Sequence, residues 1–165
     1  MPIANINDIK IYYEIEGKGD ALVLLHGAQG DITSFNNIIH NLSEHFTVVS
    51  FDQRGSGKSD KPDMQYTMEL LANDTARLMD VIGIEAGHML GISLGGMIAQ
   101  TLCINFPSKV KTLTMGCTLP GGWAHAIKTQ PVEDALIAFS TDEFISSEKR
   151  AHALANVAYS PGYAV

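Results

Sequence analysis

Gly91-Ile92-Ser93-Leu94-Gly95 lies between an apolar run, Ala86 to Gly91, and a second run, Leu94 to Phe106, that is apolar around most of a helical circumference. The first run reads as a buried strand and the second as a buried helix that Pro107 brings to an end. A serine centred between two glycines at this junction belongs on a sharp strand-to-helix turn that exposes its hydroxyl. Gly91 and Gly95 leave room for close approach of strand and helix backbones, and Gly96 extends that freedom. The N–H of Leu94 opens the helix, where unpaired donors and the helix dipole favour an anion.

Working outward, Ala21 to Leu25, Phe46 to Phe51 and Val110 to Met115 are further short apolar runs, as parallel strands covered on both faces require. Ile3 to Ile6 and the alternating stretch Ile9 to Glu16 predict an antiparallel opening pair. Phe35, Ile38, Ile39 and Leu42 share one helical face behind a Thr33 or Ser34 cap, and Leu71, Thr75, Leu78 and Ile82 share another before Gly83. Strands alternating with helices predict an α/β fold with a doubly wound, mostly parallel sheet. Gly116 to Gly122 marks a boundary, so residues 1–119 are expected to form the sheet-containing core. In residues 120–165, Pro131 to Phe139 and Thr141 to Ala158 read as amphipathic helices, the start of an inserted lid.

Composition narrows the function classes. The 165 residues are 45% hydrophobic and 18% charged, in the range of a globular domain. A formal net charge of -7 without a basic cluster argues against nucleic acid as a partner; the pair Lys149-Arg150 reads as solvated face. No secretory signal or membrane-length apolar run is visible, and Cys103 and Cys117 are too sparse for a disulfide framework, so a cytoplasmic location and no membrane partner are expected. The sequons at Asn41 and Asn73 carry no weight without an export signal.

A serine hydroxyl becomes a useful nucleophile when a tight turn exposes it, a base takes its proton and donors hold the developing oxyanion. A second donor is expected in the loop Leu25-His26-Gly27-Ala28-Gln29-Gly30, with the N–H of Ala28 as the candidate beside that of Leu94. His26 precedes the serine, an order that this strand-turn-helix architecture does not use, and reads as a structural histidine bonded to nearby backbone.

His26-Gly27, the stretch Asp52-Gln53-Arg54-Gly55-Ser56-Gly57-Lys58-Ser59-Asp60 and Gly91 to Gly96, in this order and spacing, resemble the α/β-hydrolase superfamily. The wording is closest to 3-oxoadipate enol-lactonases, small esterases and cofactor-free haloperoxidase-like members, and the likeness covers about Ile9 to Leu119. The resemblance implies a nucleophile at Ser93, oxyanion donors at Ala28 and Leu94, a small ester or lactone as substrate and no cofactor. A serine at the elbow, where dehalogenase and epoxide-hydrolase relatives carry aspartate, argues against those branches.

In the superfamily pattern the orienting acid follows the sixth or, more often, the seventh strand, and the histidine follows the eighth. Gly116-Cys117-Thr118 supplies no carboxylate, and the chain is expected to stop within the lid. His125 precedes every acid of the tail, so an acid such as Asp142 followed by His152 is the order left for a rescue. An uncompleted sheet would expose the Val110 to Met115 strand, which invites self-association. Without that acid and histidine, turnover by this chain alone is expected to be very low, and the competing expectation is an inactive hydrolase-like fragment acting as a binding or interaction module.

Gly55-Ser56-Gly57-Lys58-Ser59 after a strand suggests a phosphate loop, but Asp52 stands where its first glycine belongs and Asp60-Lys61-Pro62-Asp63 reads as a turn where a helix should open. The stretch reads as a tight loop in which Asp52 and Arg54 hold the floor of the site. No histidine or cysteine spacing suggests a metal, and His40 and His45 read as surface residues.

Overall fold

The computed structural model describes residues 2–119, and contacts divide the chain after Gly122 into two units, of which the first is the subject here. The opening pair forms as its alternation predicts: β1 (Ile3–Ile6) runs antiparallel to β2 (Ile9–Gly17). β2 in turn lies antiparallel to β4 (Phe46–Phe51). The apolar runs supply β3 (Asp20–Leu25), β4, β5 (Gly87–Ile92) and β6 (Val110–Gly116), all mutually parallel, and the six-stranded sheet has the order β1-β2-β4-β3-β5-β6.

Alternation along the strands divides the core between two faces. Leu22, Leu24 and Val48 pack with Phe35 and Ile39 of the first helical segment, whereas Val23, Leu25, Val49, Phe51 and Met89 pack against residues of α2 (Met68–Val81) and α3 (Leu94–Asn105). Helices on both faces make the mixed, mostly parallel sheet a doubly wound α/β core. The chain leaves β3 toward β4 on one side and leaves β5 toward β6 on the other. The adjacent C-terminal ends of β3 and β5 therefore flank a topological switch point, where such sheets open a crevice.

Three local expectations are corrected. The cap before the first helical segment is Asp31, whose carboxylate accepts from the Thr33 N–H at 2.8 Å; neither Thr33 nor Ser34 caps it. That segment begins as a 3-10 turn over Ile32–Phe35 before α1 (Asn36–Ser43), and the change of pitch leaves Ile38 41% exposed. In α3 the apolar circumference does not mean burial all round: Ile98, Ala99 and Leu102 are buried, but Ile104 is 77% exposed. The exposure expected of the Val110 to Met115 strand is seen: β6 is half-buried or exposed along its length and pairs with β5 alone among the described strands. Likewise α2 ends before Gly83, at φ +78°, as read, and the structure adds an N-cap at Thr67, whose hydroxyl accepts from the Leu70 N–H.

Among the described residues no helix is long and apolar enough to cross a membrane. The amphipathic segments expected after Leu119, with Asp142, His152 and the Lys149-Arg150 pair, lie outside the described residues.

Candidate active site

Ser93 occupies the turn between β5 and α3 with φ 53° and ψ -117°, a conformation that costs a non-glycine residue on the order of 1–3 kcal/mol. A serine at a helix N-cap ordinarily turns its hydroxyl onto the second or third N–H of the helix. Here the Gly96 and Met97 N–H groups reach the Ser93 main-chain carbonyl at 2.9 and 3.2 Å, and the hydroxyl makes no capping bond. The strain thus has a visible consequence: among the described residues Ser93 Oγ is left without a hydrogen-bond partner.

The glycines earn their places by contact. A Cβ on Gly91 would fall 2.5 Å from the Gly95 carbonyl oxygen, and one on Gly95 would fall 2.0 Å from that of Leu25. The first turn of α3 is pressed against its own strand and against the end of β3 together. The positive φ belongs to Ser93 itself, and Gly91 and Gly95 serve as the room for close backbone approach that their positions predict.

The loop after β3 meets the elbow directly. A Cβ on Gly27 would lie 3.3 Å from Ser93 Cβ and 3.9 Å from its Oγ, which places the following residue, Ala28, at the same mouth. The Leu94 N–H is the first of α3 and has no acceptor within the helix. The two loops that carry Ala28, Ser93 and Leu94 thereby approach one another at Gly27 and Ser93.

His26 does not face the serine as a base. It is 1% exposed, its Nδ1–H donates to the Gly27 carbonyl at 2.8 Å, and its Nε2 accepts from the Gln53 N–H at 3.2 Å. A backbone carbonyl only accepts and a backbone N–H only donates, so the two bonds define a neutral imidazole protonated at Nδ1. Burial holds its pKa below the ordinary histidine value, against the opposing pull of the Gly27 carbonyl and of Asp52 and Asp31. Among the described histidines, His40 and His45 are exposed, and His88 bonds Thr112 Oγ1 at 2.8 Å.

The stretch after β4 is built to hold the loops. Asp52 is buried and accepts from the Ile32 N–H and the Lys58 N–H, each at 2.7 Å. A Cβ on Gly57 would fall 2.1 Å from that carboxylate, so the hollow that a phosphate would need is filled by the chain's own anion. No helix opens at Lys58-Ser59, which disposes of the nucleotide reading. Arg54 donates from Nε and Nη2 to the two oxygens of Asp74 at 2.6 and 2.9 Å and reaches Asp8 at 3.1 Å, and these carboxylates push its pKa upward. Asp74, buried on α2 within one of the sequons, is a partner that sequence reading overlooked; its position facing the sheet, four residues before Leu78, was the available signal.

Thr118 is a second omission. Its hydroxyl donates to the Ser93 carbonyl at 2.6 Å from the segment that follows β6. No group of three or more potential metal ligands occurs among the described residues.

Residues 20–158 match the family model described as alpha/beta hydrolase fold. The chain belongs to the α/β hydrolase family. This α/β hydrolase is 32% identical over 126 residues to RutD of Azorhizobium caulinodans, a protein assigned provisionally as a carbamate hydrolase; the match covers 76% of this chain and 46% of that one. Its structure is similar to the enol-lactonase from Burkholderia xenovorans LB400, with TM-score 0.73 and 26% identity over 95% of this chain and 58% of the other. It is also similar to the epoxide hydrolase CorEH, with TM-score 0.77 and 30% identity over 84% of this chain and 50% of the other. The chain thus spans about half the length of the relatives it matches.

Proposed function

We propose that this α/β hydrolase opens small esters or lactones through an acyl-serine intermediate, with Ser93 as nucleophile. The observation that carries the reading is the strained, uncapped Ser93 at the switch point, with the Gly27-Ala28 loop against it. In the reaction Ser93 Oγ attacks the substrate carbonyl and loses its proton to a base, while the N–H groups of Ala28 and Leu94 hold the oxyanion. Collapse of the tetrahedral adduct breaks the ester C–O bond, and the leaving oxygen takes up that proton. Water then adds to the acyl-serine by the same route and releases the acid.

The ester or lactone class is supported by the resemblance to enol-lactonases and by structural likeness to Est816, an N-acyl homoserine lactone degrading enzyme, at 27% identity and TM-score 0.72. A fluoroacetate dehalogenase from Burkholderia sp. is 29% identical over 123 residues, and CorEH is comparably similar, so overall identity does not separate the branches. The serine at the elbow favours acyl transfer. The base and its orienting acid must come from outside the described residues, because the one buried described histidine has both ring nitrogens engaged. Within this sequence Asp142 followed by His152 offers the required order.

A second reading, a binding or interaction module of hydrolase descent, draws on the lack of a base at Ser93 among the described residues. Labelling with a fluorophosphonate probe decides between the two. The enzyme reading expects a single adduct at Ser93 that disappears in Ser93→Ala, along with ester turnover lower by about a millionfold. Folded wild-type protein that takes no label would establish the module instead.

A further inference from the structure

We propose that Thr118 is a positioning residue for the nucleophile, a clamp that fixes the direction of the Ser93 side chain through the two peptide groups that flank it. The proposal rests on the reading of Ser93 as nucleophile.

The direction in which a Cα–Cβ bond points is set by the peptide planes on either side of it. At Ser93 both planes are held by the same short segment. The Ser93 N–H donates to the Gly116 carbonyl at 3.0 Å, and the Ser93 carbonyl accepts the Thr118 hydroxyl at 2.6 Å. With one plane tied to Gly116 and the other to Thr118, φ and ψ are fixed together at values the residue would not otherwise keep. The two helical N–H groups on that carbonyl act within α3 alone, whereas Thr118 binds it from outside the helix and so fixes α3 relative to the end of β6.

The surroundings are fitted to this bond. A Cβ on Gly96 would lie 2.6 Å from both Cβ and Oγ1 of Thr118, so the second glycine after Leu94 is the notch that admits the threonine. Cys117 takes φ +49°, which turns the chain from β6 back over the start of α3. Gln100 Nε2 then holds the next carbonyl, that of Leu119, at 2.8 Å. The whole Thr118 side chain thus occupies the notch, the methyl at 2.7 Å included, while its hydroxyl alone holds the carbonyl.

An attacking oxygen has to approach the carbonyl carbon from above its plane, at an obtuse angle to the C=O bond, and displacement by about 1 Å costs roughly a hundredfold in rate. Thr118→Val keeps the shape and removes the donor; Thr118→Ser keeps the donor and removes the methyl. In the full chain, Thr118→Val is expected to lower the rate constant for fluorophosphonate inactivation by roughly tenfold or more, with the probe's initial binding constant unchanged, and Thr118→Ser to restore most of it. Faster hydrogen exchange at the Gly96 and Met97 amides is expected in the valine variant alone. If Thr118→Val does not accumulate as folded protein, Thr118→Ala carries the same comparison. Inactivation of folded Thr118→Val at the wild-type rate overturns the clamp, whatever its melting temperature. Wild-type protein that takes no label, or labelling that survives Ser93→Ala, brings down the nucleophile reading and the clamp with it; loss in Ser93→Ala beside an unchanged valine variant overturns the clamp alone.

Discussion

Two glycine-bearing turns follow parallel strands in this molecule, and they treat their polar groups in opposite ways. After β4, Asp52 turns back into the loop it begins and takes the Ile32 and Lys58 N–H groups, while Ser59 Oγ donates to the Asp52 carbonyl at 2.6 Å and accepts the Tyr12 N–H at 2.9 Å. After β5, Ser93 is held by its main chain and its hydroxyl is left over. Glycine content is similar in the two; what differs is whether the chain supplies its own occupant for the hollow. A saturated loop is a brace, and an unsatisfied one is a place for a ligand.

The most severe way to break this contrast is to deny the elbow its space. Gly95→Ala sets a Cβ against the Leu25 and His26 carbonyls, backbone of a central strand that has nowhere to move, and is expected to cost more than about 4 kcal/mol, read as loss of a cooperative urea transition. Emptying the brace is milder. Asp52→Asn turns one of two acceptor oxygens into a donor facing a backbone N–H, with an expected cost of about 2 kcal/mol by urea titration. Because Ile32 follows the Ala28 loop, a slower inactivation at Ser93 should accompany it.

The smallest effect concerns His26, which stands between the two turns. Its pKa is lowered in the folded protein from the ordinary 6.5, so the unfolded chain binds the proton more readily. Stability from this group is complete above about pH 6.5 and falls as the pH drops toward the lowered native value, with a slope of at most ~1.4 kcal/mol per pH unit. Thermal melts between pH 7.5 and 5 should show this slope, and His26→Asn should flatten it. A slope unchanged in His26→Asn would show that the imidazole is not the titrating group.

Legibility in the sequence followed the range of the interaction. The strands, α2 with its Gly83 end, and the Ser93 turn are written in runs of neighbours, where alternation and glycine act over a few residues. The start of α1 was misread because Asp31, Thr33 and Ser34 are all competent caps, and the choice between them depends on the 3-10 turn that follows. Asp74 and Thr118 were overlooked because each meets its partner across the fold, 20 residues from Arg54 and 25 from Ser93.

The sequence by itself determined a doubly wound α/β core, the family and a serine at its elbow, since the order of apolar runs and the spacing of glycines act locally and leave few topologies. Only the tertiary structure decided that the Asp52 loop fills its own hollow, that His26 is a neutral tautomer with both ring nitrogens engaged, and that the backbone of Ser93 is held from beyond β6. Each of those depends on which donor reaches which acceptor across the sheet, a matter of ångströms that no spacing along the chain records.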